Sequence, residues 1–242
     1  MTRPTVLVPI EVLEGESLPE GTPELLAEAH VILLGYHVIP DQTAPGQARM
    51  QFEERAQDRL TEYRTVLEEG GATVETRLVF THDGQQTIDR QSKEHDCLAT
   101  LVPRTVTELE DVLVAVRGTV GIDRLAQVVT GLFAETDVTI TLFHVTDEDE
   151  SDADVDLMLD GLVDRFEDGA IDPARIGTRT ERGVKPADAI ADLAAEYDVV
   201  VMGESDPSLA TFVFGHSAEQ VAERFLGPVL VVEREQMDES TD

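Results

Sequence analysis

Residues Asp198 to Glu233 read DVVVMGESDPSLATFVFGHSAEQVAERFLGPVLVVE. Asp198 to Met202 is a short β-branched apolar run that Gly203 ends. Ala218 to Leu226 has the spacing of a helix, and Gly227-Pro228 breaks it before the strand Val229 to Val232. The order is strand, glycine-bearing loop, helix, strand. A loop at the carboxyl end of a parallel strand and the amino end of a helix is where α/β proteins bind phosphates and nucleotides. This stretch therefore sets both the fold class and the question of whether its loop binds anything.

The chain also contains an internal repeat. Thr5 to Ile10 (TVLVPI) recurs as Asp111 to Val116 (DVLVAV), and Val31 to Val38 recurs as Val138 to Val145. Further on, Thr76-Arg77 matches Thr178-Arg179, Ile88 matches Ile190, and Asp96-Cys97-Leu98 matches Asp198-Val199-Val200. The repeating unit, of roughly a hundred residues, is far longer than a solenoid repeat and is read as a whole lobe. In each lobe short β-rich runs alternate with amphipathic segments, the pattern of βαβ units on a parallel sheet.

In the second lobe, Ile122, Leu125, Ala126, Val129 and Phe133 form one helical stripe, and Val155, Leu159, Leu162 and Phe166 form another that Gly169 ends. A weaker strand is expected near Ile176 to Glu181, and Pro186 opens the next helix where its missing N–H costs nothing. The first lobe follows the same order, with a long helix over Gly46 to Glu69. After Cys97 to Val102, however, only Pro103 to Asp111 remain before the second lobe, too few for the loop, helix and fifth strand that Glu204 to Val232 supply. The expected division is a first lobe over 1–109, a second over 110–233 and a disordered acidic tail over 234–242.

Composition limits the function classes. Fifty acidic residues against 18 basic ones, a formal charge of -32, repel nucleic acid and anionic membranes. The excess acid is spread over a well-patterned sequence with only two lysines, Lys93 and Lys185, which points to adaptation to high salt. No apolar run approaches a membrane span, no signal segment opens the chain, and a cytoplasmic protein is expected. The single cysteine, Cys97, is read as a small core residue beginning a strand.

An initial VLVP strand, a second strand ending in His-Val, and a strand ending in Met202-Gly203 followed by Phe214-Gly215, Glu219, Val221 and Gly227 to Val232 resemble the universal stress protein family, in a tandem form with a degenerate first lobe. The resemblance implies two tandem open parallel sheets with helices on both faces, Rossmann-like and similar to the adenine nucleotide hydrolases. It also implies lobes that pair as in a dimer and, in some members, bound ATP.

ATP-binding members carry glycine, two residues, glycine, nine residues, glycine, then Ser or Thr, a pattern that brings backbone N–H groups and a hydroxyl to phosphate oxygens. Here Gly203 and Gly215 hold the outer glycine positions, but Asp206 replaces the middle one, eight residues follow it, and His216 stands at the Ser/Thr position with Ser217 next. Glu204 and Asp206 add like charge against a polyanion. Just past strand one, where these members carry an aspartate, Glu11 stands in the first lobe and Arg117 in the second. Arg117 is placed either to clamp a phosphate or to pair with Glu204 or Asp206. By resemblance, ATP would rest on Gly203, Gly215, His216 and Ser217 with Val145 near the adenosine. The departures favour no cofactor and a vestigial site.

No other chemistry is expected. His37 and His144 at matching strand ends are read as structural, His82-Asp83-Gly84 as a turn, and no histidine spacing fits a metal centre. No nucleophile motif is present, and Asp147 to Asp154 is read as a solvated loop rather than a calcium loop. Two functions follow. One is a non-enzymatic stress-response or regulatory scaffold, or the soluble regulator of a transporter; the other is an ATP/AMP sensor or slow ATPase. Because an unpaired apolar edge aggregates, Pro228 to Val232 is expected to pair with the first lobe or with a second chain.

Overall fold

The computed structural model describes residues 2–15, 17–117, 121–203 and 227–233. Nine strands form one sheet: β1 (Thr5–Glu11), β2 (His30–Val38), β3 (Thr73–Thr81), β4 (Ala99–Val102), β5 (Asp111–Val116), β6 (Thr139–Thr146), β7 (Ile176–Arg182), β8 (Val199–Gly203) and β9 (Val229–Val232). The helices are α1 (Thr22–Leu25), α2 (Pro45–Glu69), α3 (Gly84–Glu94), α4 (Ile122–Phe133), α5 (Asp152–Asp168) and α6 (Pro186–Ala194), with one 3-10 turn at Pro173–Arg175.

The strand order is β3-β2-β1-β4-β9-β8-β5-β6-β7. Two wholly parallel sets, β3-β2-β1-β4 and β9-β8-β5-β6-β7, meet at a single antiparallel step between β4 and β9. The two sheets expected from the repeat are thus continuous. The terminal apolar strand lies between Ala99–Val102 on one side and Val200–Gly203 on the other, so its expected pairing is met within the chain.

Alternation along the strands divides the core. Val6, Val8 and Ile10 of β1, Leu101 of β4, Val112 and Val114 of β5, Val201 of β8 and Leu230 and Val232 of β9 belong to one buried cluster, shared with α1, α2, α4 and α5, that crosses the junction without a break. On the opposite face, α3 covers Leu7, Ile32 and Leu34, and α6 covers Leu113, Ala115, Phe143, Val200 and Met202. This is the burial on both faces that parallel strands require.

Local signals place the helix ends. Ser151 caps α5 by accepting from the Asp154 N–H at 3.2 Å, and Gly169 is its C-cap. Asp83, expected in a turn, caps α3 by accepting from the Gln86 N–H at 2.9 Å, and Gly84 is the first helical residue. Cys97 precedes β4, which starts at Ala99, rather than beginning it. The helix expected over Ala218 to Leu226 and the tail 234–242 lie outside the described residues.

Candidate functional site

The second half of the chain switches direction at β5: β6 and β7 are added on one side, β8 and β9 on the other. At the carboxyl ends of β5, β6 and β8 this leaves a cleft, where α/β sheets place their ligands. Its lining includes Ala115 and Arg117 from the end of β5, Phe143 and Val145 from β6, Met202 and Gly203 from β8, and Pro186 and Ile190 from α6. Among the described lining residues, Arg117 carries the sole charge. Three of the residues singled out in the sequence, Arg117, Val145 and Gly203, therefore border one cleft. Gly215, His216 and Ser217 lie outside the described residues, as do Glu204 and Asp206, the ion-pair partners weighed for Arg117.

Phe143, Pro186 and Ile190 were not anticipated in the cleft. Phe143 sits two residues before Val145 on the same face, and Pro186 starts the helix over that face, so strand alternation was the available signal.

The first half has no residues to match the stretch that the second half's sequence supplies after β8. β4 passes through residues 103–110 directly into β5. That connection is held down by the Val106 N–H donating to the Glu20 carbonyl at 3.0 Å, and by Gly21, whose φ of 81° no side chain favours and whose absent Cβ would stand 2.0 Å from the Val106 carbonyl oxygen.

The sheet register corrects the repeat in two places. Thr5 pairs with His30 and Asp111 with Thr139, so Val31 lies level with Ile140 rather than with Val138. Likewise Leu98 and Asp198, not Asp96 and Asp198, make the equivalent N–H bonds, to Thr5 and Asp111. Both slips are of two residues, which leaves every side chain on its original face and is invisible to hydrophobic pattern.

His37 and His144 are consequently not equivalent. His144 is buried, with Nδ1 2.9 Å from the Val116 carbonyl and Nε2 2.9 Å from Glu150 Oε2. Gly35 occupies the corresponding level of β2, where Leu60 of α2 fills the space a Cβ would need. His37 lies farther along, packed edge-on against Phe52 and Phe80.

The acidic segment after β6 is ordered around Glu150. Its carboxylate accepts from the Asp147 N–H at 2.8 Å and faces His144, and these bonds hold its pKa below the usual carboxylate value. Arg182 of β7 donates to the Asp147 and Glu150 carbonyls and to Asp152. The segment is solvated as expected, with all but Glu150 of Asp147 to Asp154 exposed, and it is also tied to β6 through His144 and to β7 through Arg182. At the junction of the halves, burial followed by the nearby Glu233 carboxylate pushes the Cys97 thiol up to about 12, which disfavours the nucleophilic thiolate.

The family model described as the universal stress protein family matches residues 108–233, slightly over half of the chain. The chain belongs to that family. No curated protein matches it. Among solved structures, a universal stress protein from Archaeoglobus fulgidus DSM 4304 is 18% identical, with 96% of this chain and 97% of that one covered at a TM-score of 0.65. A universal stress protein from Pseudomonas aeruginosa UCBPP-PA14 is 17% identical over 96% of this chain and 94% of that one, at a TM-score of 0.53. At these identities the likeness is one of fold, and it extends over both halves of this universal stress protein. Among its described residues, no helix is long and apolar enough to cross a membrane.

Proposed function

We propose that this universal stress protein is a non-enzymatic stress-response or regulatory protein of the cytoplasm, acting through its surfaces as a scaffold or as the regulator of a membrane transporter, with a vestigial nucleotide site. The reading is carried by how the two halves share out the family's parts. The half with a carboxylate at the end of its first strand, Glu11, runs from β4 straight into β5 and has no strand-end loop; the half whose sequence supplies the loop presents Arg117 at that strand end instead. By sequence, neither half carries the complete set that the family resemblance implies. With a formal charge of -32, its partners are proteins rather than nucleic acid.

The second reading, a sensor of ATP or AMP or a slow ATPase, is favoured by one observation: Arg117, Val145 and Gly203 border a single cleft at a topological switch point. Calorimetric titration with ATP and AMP, in molar KCl with magnesium, separates the two. The first reading expects no saturable heat at millimolar nucleotide. Saturable binding that Gly203→Ala removes establishes the second.

A further inference from the structure

The first half holds a polar cluster that the cleft does not use. Glu11 ends β1, Glu14 lies in the turn that follows, and His37 stands near the end of β2. Their ligand atoms all lie within 4.8 Å of one another. Two features fix them there. The Val12 N–H donates to the Tyr36 carbonyl at 3.2 Å, clamping the end of β1 to β2, and the Val38 N–H approaches Glu11 Oε1 at 3.4 Å, setting that carboxylate beside the histidine.

The histidine itself points to a ligand. Nδ1 of His37 is shielded from solvent and has no hydrogen-bond partner among the described residues, although buried polar atoms are nearly always paired. Glu14 Oε1 is 3.9 Å away, beyond hydrogen-bonding distance. The ring packs edge-on at 5.9 Å from Phe52 and 6.2 Å from Phe80, which places its nitrogen edge beside the two glutamates. His144 in the second half, by contrast, has an acceptor at each ring nitrogen.

We infer that Glu11, Glu14 and His37 form a binding site for a divalent transition-metal cation. Donors on a tetrahedral ion with bonds of about 2.1 Å are about 3.4 Å apart, so ligand atoms already within 4.8 Å of one another close onto it by side-chain rotation. One imidazole nitrogen and two carboxylates suit zinc or manganese better than magnesium or calcium, which take oxygen ligands. Two carboxylates balance the charge of the ion, and the neutral ring supplies its unpaired nitrogen. Glu14, whose side chain is 61% exposed, is the route of entry and the last ligand to close. The wide separation of His37 from the two glutamates in sequence, with the buried state of Nδ1 visible only in the fold, hides the set from spacing rules.

The test is calorimetric titration of the full chain with zinc in molar KCl, which screens diffuse binding to so acidic a surface. Magnesium serves as the comparison ion, and cobalt absorbance reports a nitrogen ligand. Saturable binding of one zinc per chain, weakened at least tenfold in Glu14→Gln and unchanged in Asp149→Asn, is expected. Because Glu14 is exposed, its replacement leaves the fold intact. His37→Gln, checked for folding by circular dichroism, should abolish the cobalt band. Absence of saturable zinc binding overturns the proposal, as does binding that Glu14→Gln leaves within twofold of the original affinity.

Discussion

Ser92 Oγ donates to Glu233 Oε1 across 2.8 Å, joining the end of α3 in the first half to the residue that follows β9. Thr100 donates to the same oxygen at 3.0 Å, and the Glu233 N–H returns a bond to the Leu98 carbonyl at 2.9 Å. Ser92 and Thr100 are each 2% exposed, so neither hydroxyl has water as a substitute. Glu233→Ala is expected to cost about 1–3 kcal/mol in chemical denaturation, the price of leaving buried hydroxyls unpaired. Glu233→Gln, which retains an acceptor, should recover most of it.

The connection between the halves depends on Gly21. Its φ of 81° and the 2.0 Å that would separate a Cβ from the Val106 carbonyl oxygen forbid any side chain without moving residues 103–110. Gly21→Ala should destabilise the protein by about 2 kcal/mol or more. Gly121→Ala, also at positive φ but with open space around the Cβ position, should cost less, and thermal unfolding of the two variants compares them directly.

Glu150 predicts a dependence on pH. Its folded pKa is lowered, first by the Asp147 N–H bond and next by His144. Stability from the ionised carboxylate is therefore complete above its unfolded value of 4.5 and is lost as the pH falls through the lower folded value. The stability difference between the original protein and Glu150→Gln should be largest near neutrality and shrink in acid. A difference that grows in acid contradicts the assignment.

Cys97 is buried, and its thiol is pushed up to about 12 by desolvation first and Glu233 second. At pH 8 a thiol reagent should label it only through unfolding, at a rate that rises with denaturant. Fast labelling of the folded protein would show the junction to be open.

Much of this fold was legible in the sequence because parallel strands buried on both faces read as apolar runs and their helices as stripes. The stripe Ile122 to Phe133 is α4, and that from Val155 to Phe166 lies within α5. The register was not legible, since a slip of two residues moves no side chain to the other face; His37 and His144 looked alike for that reason. Arg117, Val145 and Gly203, named from the family resemblance, border the cleft because the first follows β5, the second is the penultimate residue of β6 and the third ends β8. The Glu150 contacts and the Glu11, Glu14 and His37 cluster were not legible, because their partners meet only once β2 and β6 are set beside their neighbours.

β9 belongs to both halves, completing its own sheet on β8 and closing the edge of β4. Hydrogen exchange of the Val229 to Val232 amides reads out this double pairing. An interior strand should exchange with the slowest class, alongside β1 and β5. Exchange as fast as in the outermost strands, β3 and β7, would mean that the β4–β9 junction does not hold and that the two halves are separate sheets.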